Sequence, residues 1–434
     1  MSPRILEASI NGRRVGTLKD KQGQWAFTYD RSWLSFDKTH ALSPHLPLQE
    51  ASLVDNSSQR QVQWYFDNLL PEEGQRALLA TEATIHQADA FALLEHYGAE
   101  SAGSLTLLPE GNPVSENNAV PLSDAALEAR IGNLPNLPLA RGANKRMSLA
   151  GAQHKLAVIY TGNQFHEPQG NTASTHILKP DHPSTAFAQS VINEWFVMQL
   201  AGGVGLNVPP VHRRYVPSSV YVIDRFDRTV LDKTVYRLHS IDACQLLGID
   251  ATFKYQQGSI LRLAEIAERC RSTAQCRIRL FSWLVFNVLV GNTDAHLKNL
   301  SFMVNHEGIE LSPLYDLLST AVYETKAFDG NTWPTKTRMA WPLPDAVYIS
   351  DITRDVLLNA SDQLGLNKAT ANRLLNHQLE RIVVLAHELN EQMLNENAKL
   401  LNSVDDNGVR MESENRCVRS IIYNIIEPMV QQVS

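Results

Sequence analysis

The sequence predicts a two-lobed α/β fold, β-rich at its N-terminus and mainly helical towards its C-terminus. Three observations predict it. Early runs alternate apolar and polar residues around a tight turn, late runs repeat apolar residues at three and four positions, and 434 residues with 44% hydrophobic content exceed what one core organises.

Glu7-Ala8-Ser9-Ile10 and Arg14-Val15-Gly16-Thr17-Leu18 flank Asn11-Gly12, the strongest short hairpin signal. Trp25, Phe27 and Tyr29 then alternate as on a half-buried strand. This β-rich subdomain is expected over 1–110. The polar, turn-rich run from Gly111 to Asn118 reads as a linker or long loop, assigned to 111–140. A mixed α/β stretch is expected over 141–228, and a helical lobe over 229–434. There Leu375, Leu379, Ile382, Ala386, Leu389 and Met393 make one apolar face, read as core packing rather than a partner groove.

Composition removes several function classes. Net charge is −7, from 39 basic and 46 acidic residues, so the bulk positive field that drives autonomous DNA binding is missing. Arg269, Arg271, Arg277 and Arg279, and Arg213 with Arg214, are read as solvated charge. The longest apolar run is about eleven residues, too short for a bilayer span, and Met1-Ser2-Pro3-Arg4 lacks a signal pattern. Cys244, Cys270, Cys276 and Cys417 show no C-x-x-C spacing and are expected as buried thiols of a cytoplasmic protein.

The chemistry concentrates in Gly291-Asn292-Thr293-Asp294-Ala295-His296-Leu297-Lys298-Asn299-Leu300 and in Leu314-Tyr315-Asp316-Leu317. An Asp, an Asn five residues on and a later Asp form the arrangement used for phosphoryl transfer by kinase-like enzymes. The first accepts the proton of the attacking hydroxyl, and the other two hold the magnesium that bridges the nucleotide phosphates. Asn and Asp are also ordinary turn residues. Here, however, the apolar run from Leu280 to Val290 delivers the loop straight from a buried helix. Leu300–Val304 and Ile309–Leu311, flanking Asn305-His306-Glu307-Gly308, read as a hairpin that returns Asp316 to Asp294 and Asn299.

Upstream, Thr175–Pro180 reads as a strand whose Lys179 could neutralise phosphate. Glu194, in the apolar helix Gln189–Leu200, could pair with that lysine. The small residues of Ser148-Leu149-Ala150-Gly151-Ala152-Gln153-His154-Lys155 would let backbone N–H groups approach phosphate oxygens, although the loop matches neither common glycine-rich fingerprint. Val220–Arg228 is a β-branched strand running into charge, a hinge at which Asp227 faces a ribose or a structural arginine.

Together with Trp64–Pro71 and Gly103–Leu107, these segments resemble, in the same order and over residues 5 to 390, the HipA-like serine/threonine kinase toxins of bacterial toxin–antitoxin pairs. The resemblance implies a protein-kinase-like fold with Asp294 as proton acceptor and Asn299 and Asp316 as metal ligands. It implies ATP contacts from Ala150, Gly151, Ala152, Gln153, His154, Lys155, Lys179, Asp224, Arg225, Phe226, His296, Leu297, Lys298, Asn299, Tyr315 and Asp316. The departure is His154, where the family more often carries Glu or Pro. The resemblance further implies ATP and Mg2+ as cofactors and growth arrest by phosphorylation of a translation component of the glutamyl-tRNA synthetase type. It also implies a small helix-turn-helix antitoxin dimer, operator DNA engaged through that complex, and autophosphorylation at Ser148. A phosphate there would compete for the loop amides or draw the loop towards Arg141, Lys145 and Arg146. Two alternatives stay open: a small-molecule phosphotransferase and a non-catalytic repressor subunit.

Overall fold

Asn11 and Gly12 both take positive φ, 49° and 80°, as the two-residue turn of a tight hairpin requires. They join β1 (Arg4–Ile10) to β2 (Arg13–Lys21). β3 (Gln24–Tyr29) follows and buries Trp25, Phe27 and Tyr29 on one face. With β4 (Leu53–Val54) and β5 (Leu105–Pro109) the sheet order is β4-β3-β2-β1-β5.

The computed structural model describes residues 2–111, 118–143, Met147, 149–151, 153–401 and 408–434. Ser148, Ala152, Lys145, Arg146 and residues 112–117 of the expected linker lie outside the described residues. The chain forms two compact units, one of Met1–Pro180, Arg214–Lys254 and Leu300–Ser312, the other of Asp181–Arg213, Tyr255–Asn299 and Pro313–Ser434.

A second, six-stranded sheet is built from β6 (Asn118–Leu122), β7 (Leu156–Tyr160), β8 (Phe165–Gln169), β9 (His176–Pro180), β10 (Val211–Tyr215) and β11 (Ser219–Asp224) in the order β10-β11-β9-β7-β8-β6. Along β10 the chain returns to the first unit. Leu156, Val158, Leu178, Val220 and Val222 fill the sheet's core, which explains why these short strands read as near-continuous apolar runs. The unit is completed by the hairpin β12 (Arg228–Leu231) and β13 (Thr234–Arg237), and by β14 (Ser240–Asp242), β15 (Ser301–Asn305) and β16 (Gly308–Leu311).

The second unit is helical. Ser190–Gly203 buries residues all round its axis, the pattern of a helix inside a core. Thr273–Leu289 likewise buries Trp283, Leu284, Phe286 and Leu289. Lys368–Leu401 is the expected amphipathic helix. Its Leu375, Ile382, Ala386 and Met393 are fully buried, so the stripe is core packing. All four cysteines are buried. Among the described residues no helix is long and apolar enough to cross a membrane.

One charge reading needs correction. The Arg213 side chain is only 4% exposed and pairs with Glu414 at 3.1 Å and Asn397 at 2.9 Å, with its guanidinium over the Trp195 ring. It is an internal tie rather than solvated charge, because its partners lie about two hundred residues later, beyond the reach of a local reading.

Candidate active site

In the helical unit the Thr273–Leu289 helix ends at Val290, and Gly291 turns the chain with φ 63°. A Cβ there would meet Ile425 Cγ2 at 2.8 Å and Ala321 Cβ at 2.9 Å, so the turn admits glycine alone without movement. Two asparagines then fix the loop from within. Asn287, on the helix, accepts a 2.8 Å hydrogen bond from Asn292 Nδ2. Asn292, fully buried, accepts the Asp294 N–H at 3.2 Å. Thr320 Oγ1 accepts the Thr293 N–H at 2.6 Å, and the Trp341 indole N–H donates to the Ala295 carbonyl.

Asn299 closes the loop. Its Nδ2 donates to Asp316 Oδ2 at 3.1 Å and lies 3.4 Å from the Asp294 carbonyl. Asp316 itself sits at φ 58°, a left-handed conformation uncommon outside glycine and concentrated at functional sites. Tyr315 donates its hydroxyl to the Lys298 carbonyl at 2.8 Å. The predicted Asp294, His296, Leu297, Lys298, Asn299, Tyr315 and Asp316 therefore gather in one place. Asn299 and Asp316 could hold a hard divalent cation, since a carboxamide and a carboxylate form an all-oxygen donor set.

Sequence reasoning missed two residues here. Asn193 makes a reciprocal pair with Ser319, donating to its carbonyl at 2.9 Å and accepting its N–H at 2.8 Å. This ties the segment after Asp316 to the Ser190–Gly203 helix. A buried Asn inside an apolar helix was the available signal. Tyr255, whose hydroxyl donates to Asp294 Oδ1, carried no local signal at all.

In the β-rich unit the loop entering β7 and the strand carrying Lys179 are neighbours, because Leu156 pairs with Leu178. Lys179 is 7% exposed, with its ammonium 5.7 Å from the centre of the Tyr221 ring. Gly151 has φ 109° and forms a bridge with Pro71, and Lys155 Nζ donates to the Ala150 carbonyl at 2.7 Å. His154 is buried, and Gln153 follows Gly151 on the same loop. Glu194 is 2% exposed in the helical unit.

The hinge is more tightly built than expected. Arg225 donates to Asp227 at 2.9 and 2.7 Å, while Glu100 meets Arg225 at 3.4 Å, Arg228 at 2.9 Å and Arg237 at 2.8 Å. Asp227 thus faces structural arginines rather than a ribose. Burial alone would raise its carboxyl, but Arg225 and Arg228 outweigh that and hold it below the usual carboxylate range. Burial and the neighbouring Arg225 push the Arg228 guanidinium down to about 10. The Arg225 side chain is committed to this cluster, and its backbone N–H donates to the Thr175 carbonyl at 2.9 Å. Asp224, beside Phe226, lies 3.0 Å from His176 Nε2.

Residues 147–385 match the model of the HipA-like C-terminal domain, and residues 6–108 that of the HipA N-terminal domain. The chain is 31% identical over 342 residues to the serine/threonine-protein kinase toxin HipA of Shewanella oneidensis, covering 74% of this chain and 76% of that protein. Over 337 residues it is 36% identical to Y4mE, a Sinorhizobium fredii protein named as a kinase, covering 74% of this chain and 79% of the other. Among solved structures, HipA from the Shewanella oneidensis MR-1 toxin–antitoxin system, in complex with HipB and operator DNA, aligns with a TM-score of 0.77 at 26% identity. That alignment covers 98% of this chain and 99% of the other.

Proposed function

The chain belongs to the HipA-like family of serine/threonine kinases, and from that premise we propose that it is the kinase toxin of a toxin–antitoxin pair, phosphorylating serine on a translation component. The observation that carries the reading is the Asn299–Asp316 hydrogen bond at 3.1 Å, on the same buried loop that presents Asp294. In this reading Asp294 accepts the proton of the attacking serine hydroxyl. Asn299 and Asp316 hold magnesium, which supplies charge neutralisation between the nucleotide phosphates.

Lys179 contacts the ATP phosphates with Glu194 as its carboxylate partner, and Ala150, Gly151, Ala152, Gln153, His154 and Lys155 approach them with backbone groups. The nucleotide's other contacts come from the Asp224, Arg225 and Phe226 hinge and from His296, Leu297, Lys298 and Tyr315. Residues 1–110 serve as the β-rich subdomain, 141–228 as the nucleotide-facing lobe and 229–434 as the catalytic lobe, while of 111–140, expected as a linker, Asn118–Leu122 forms β6 paired with β8.

We further assign a glutamyl-tRNA synthetase type of target, self-silencing by phosphorylation of Ser148, and a cytoplasmic setting, in keeping with four buried thiols. A HipB-like helix-turn-helix dimer is the proposed antitoxin, and operator DNA is bound through it. Support for these partners comes from the related HipA solved together with HipB and its operator.

The test incubates purified chain with labelled ATP, magnesium, purified glutamyl-tRNA synthetase and a set of hydroxyl-bearing metabolites, then maps phosphate by mass spectrometry. Phosphoserine on the synthetase is the expected result. Label found only on added metabolites would replace this reading with a small-molecule phosphotransferase, and no transfer at all with a non-catalytic repressor subunit.

A further inference from the structure

The Tyr255 hydroxyl donates a hydrogen bond to Oδ1 of Asp294. That is the interaction an acceptor alcohol makes with the general base in phosphoryl transfer. An ionised carboxylate is an acceptor only, at both of its oxygens, so a serine that approaches through Oδ1 competes with the phenol for that oxygen. We propose that Tyr255 occupies the acceptor position, shielding Asp294 from water until a protein hydroxyl displaces the phenol. The proposal rests on Asp294 being the base.

The surroundings suit an occupant that must leave. Tyr255 is 42% exposed, so it is not locked into the core. Its ring packs edge-on against His296, with centroids 4.9 Å apart, and this contact aims the hydroxyl while solvent reaches the rest of the ring. The residue stands where the chain crosses from one compact unit to the other, between Lys254 and Tyr255. Behind it the backbone is anchored. Gly258 N–H donates to the Tyr255 carbonyl at 3.0 Å, and Gly258 abuts the ring of Trp341, the residue whose indole N–H holds Ala295. A fixed backbone with a half-exposed side chain is the arrangement of a gate rather than of a core tyrosine.

The chemical consequence concerns water. A kinase whose base is open to solvent transfers phosphate to water, cleaving the γ-phosphoryl bond of ATP and releasing ADP and inorganic phosphate, with the water proton taken by the base. A phenol on Asp294 excludes that water from the base. A serine held in place by the rest of its protein displaces the phenol as part of a larger docked contact, which a lone water lacks, so the exchange favours protein acceptors over solvent.

The experiment measures inorganic phosphate release from magnesium-ATP by the full chain without acceptor, in a Ser148→Ala background so that self-phosphorylation does not intervene. Tyr255→Phe keeps the ring against His296 and removes the hydroxyl. Release should rise by about fivefold, the factor one competing hydrogen bond is worth, with ATP affinity unchanged. Adding Asp294→Asn to that variant should abolish the rise. Tyr255→Ala, checked for folding by circular dichroism, should behave as Tyr255→Phe does. Unchanged or lower release in both Tyr255 variants overturns the gate while leaving the kinase reading intact, as does phosphate found on Tyr255 itself. Full transfer to protein by Asp294→Asn alone overturns the underlying assignment instead.

Discussion

Asn299 and Asp316, seventeen positions apart, are joined side chain to side chain at 3.1 Å. The hairpin of β15 and β16 lies between them in sequence, and its tight return brings the second carboxylate back to the loop that presents the first. If the pair holds magnesium, Asp316→Ala should weaken magnesium-dependent ATP binding and depress transfer by about 100-fold or more, the range expected when a charge-stabilising group is removed. Titration calorimetry with and without magnesium checks the binding, and loss of the magnesium dependence is the diagnostic result.

Asn193 supports that pair from behind. Asn193→Ala removes both hydrogen bonds to Ser319 and leaves the buried Ser319 N–H and carbonyl without those partners. Stability should fall by roughly 2–4 kcal/mol, read from urea denaturation. The apparent magnesium affinity should fall with it, since the segment after Asp316 loses its tie.

Glu100 is fully buried and meets three arginines. Glu100→Gln leaves their charge balanced by Asp227 alone within this cluster, so the β-rich unit should lose about 3–5 kcal/mol. Thermal unfolding of the variant checks this. A melting temperature equal to wild type would show that the cluster contributes nothing to stability.

His239 gives a pH dependence whose sign is fixed. Burial first, and the neighbouring His40 second, push it from an ordinary 6.5 down to about 3, while Ser104 Oγ and the Leu42 carbonyl lie 2.9 Å from its two nitrogens. It is neutral in the folded protein and takes a proton on unfolding below 6.5. Its contribution is therefore intact above the ordinary value and is lost as pH falls from 6.5 towards 3, at up to about 1.4 kcal/mol per pH unit. Urea midpoints at pH 7 and pH 5 should differ, and His239→Asn should reduce the difference. Some dependence should remain, because burial lowers His40 as well.

The sequence made short-range features legible. Asn11-Gly12 declared its hairpin because a turn with two positive φ values selects those residues. Asp294, Asn299 and Asp316 could be read because the loop and its return hairpin lie within about twenty-five residues. Contacts between distant segments stayed hidden. Glu100 meets arginines some 125 to 137 positions later, and Asn193 meets Ser319 across 126 positions. Arg213 looked like surface charge because Glu414 is 201 positions away, and Asp227 left its ribose or arginine alternatives open until burial resolved them. Polar residues in core positions are visible in a sequence, but their partners are chosen by tertiary packing.

The most direct test of the central claim is single-turnover transfer of the ATP γ-phosphate to protein by Asp294→Asn at saturating magnesium-ATP. The carboxamide keeps the shape of the side chain and removes its basicity, so transfer should drop by about 100-fold or more with ATP binding largely intact. Transfer at the wild-type rate would contradict the account.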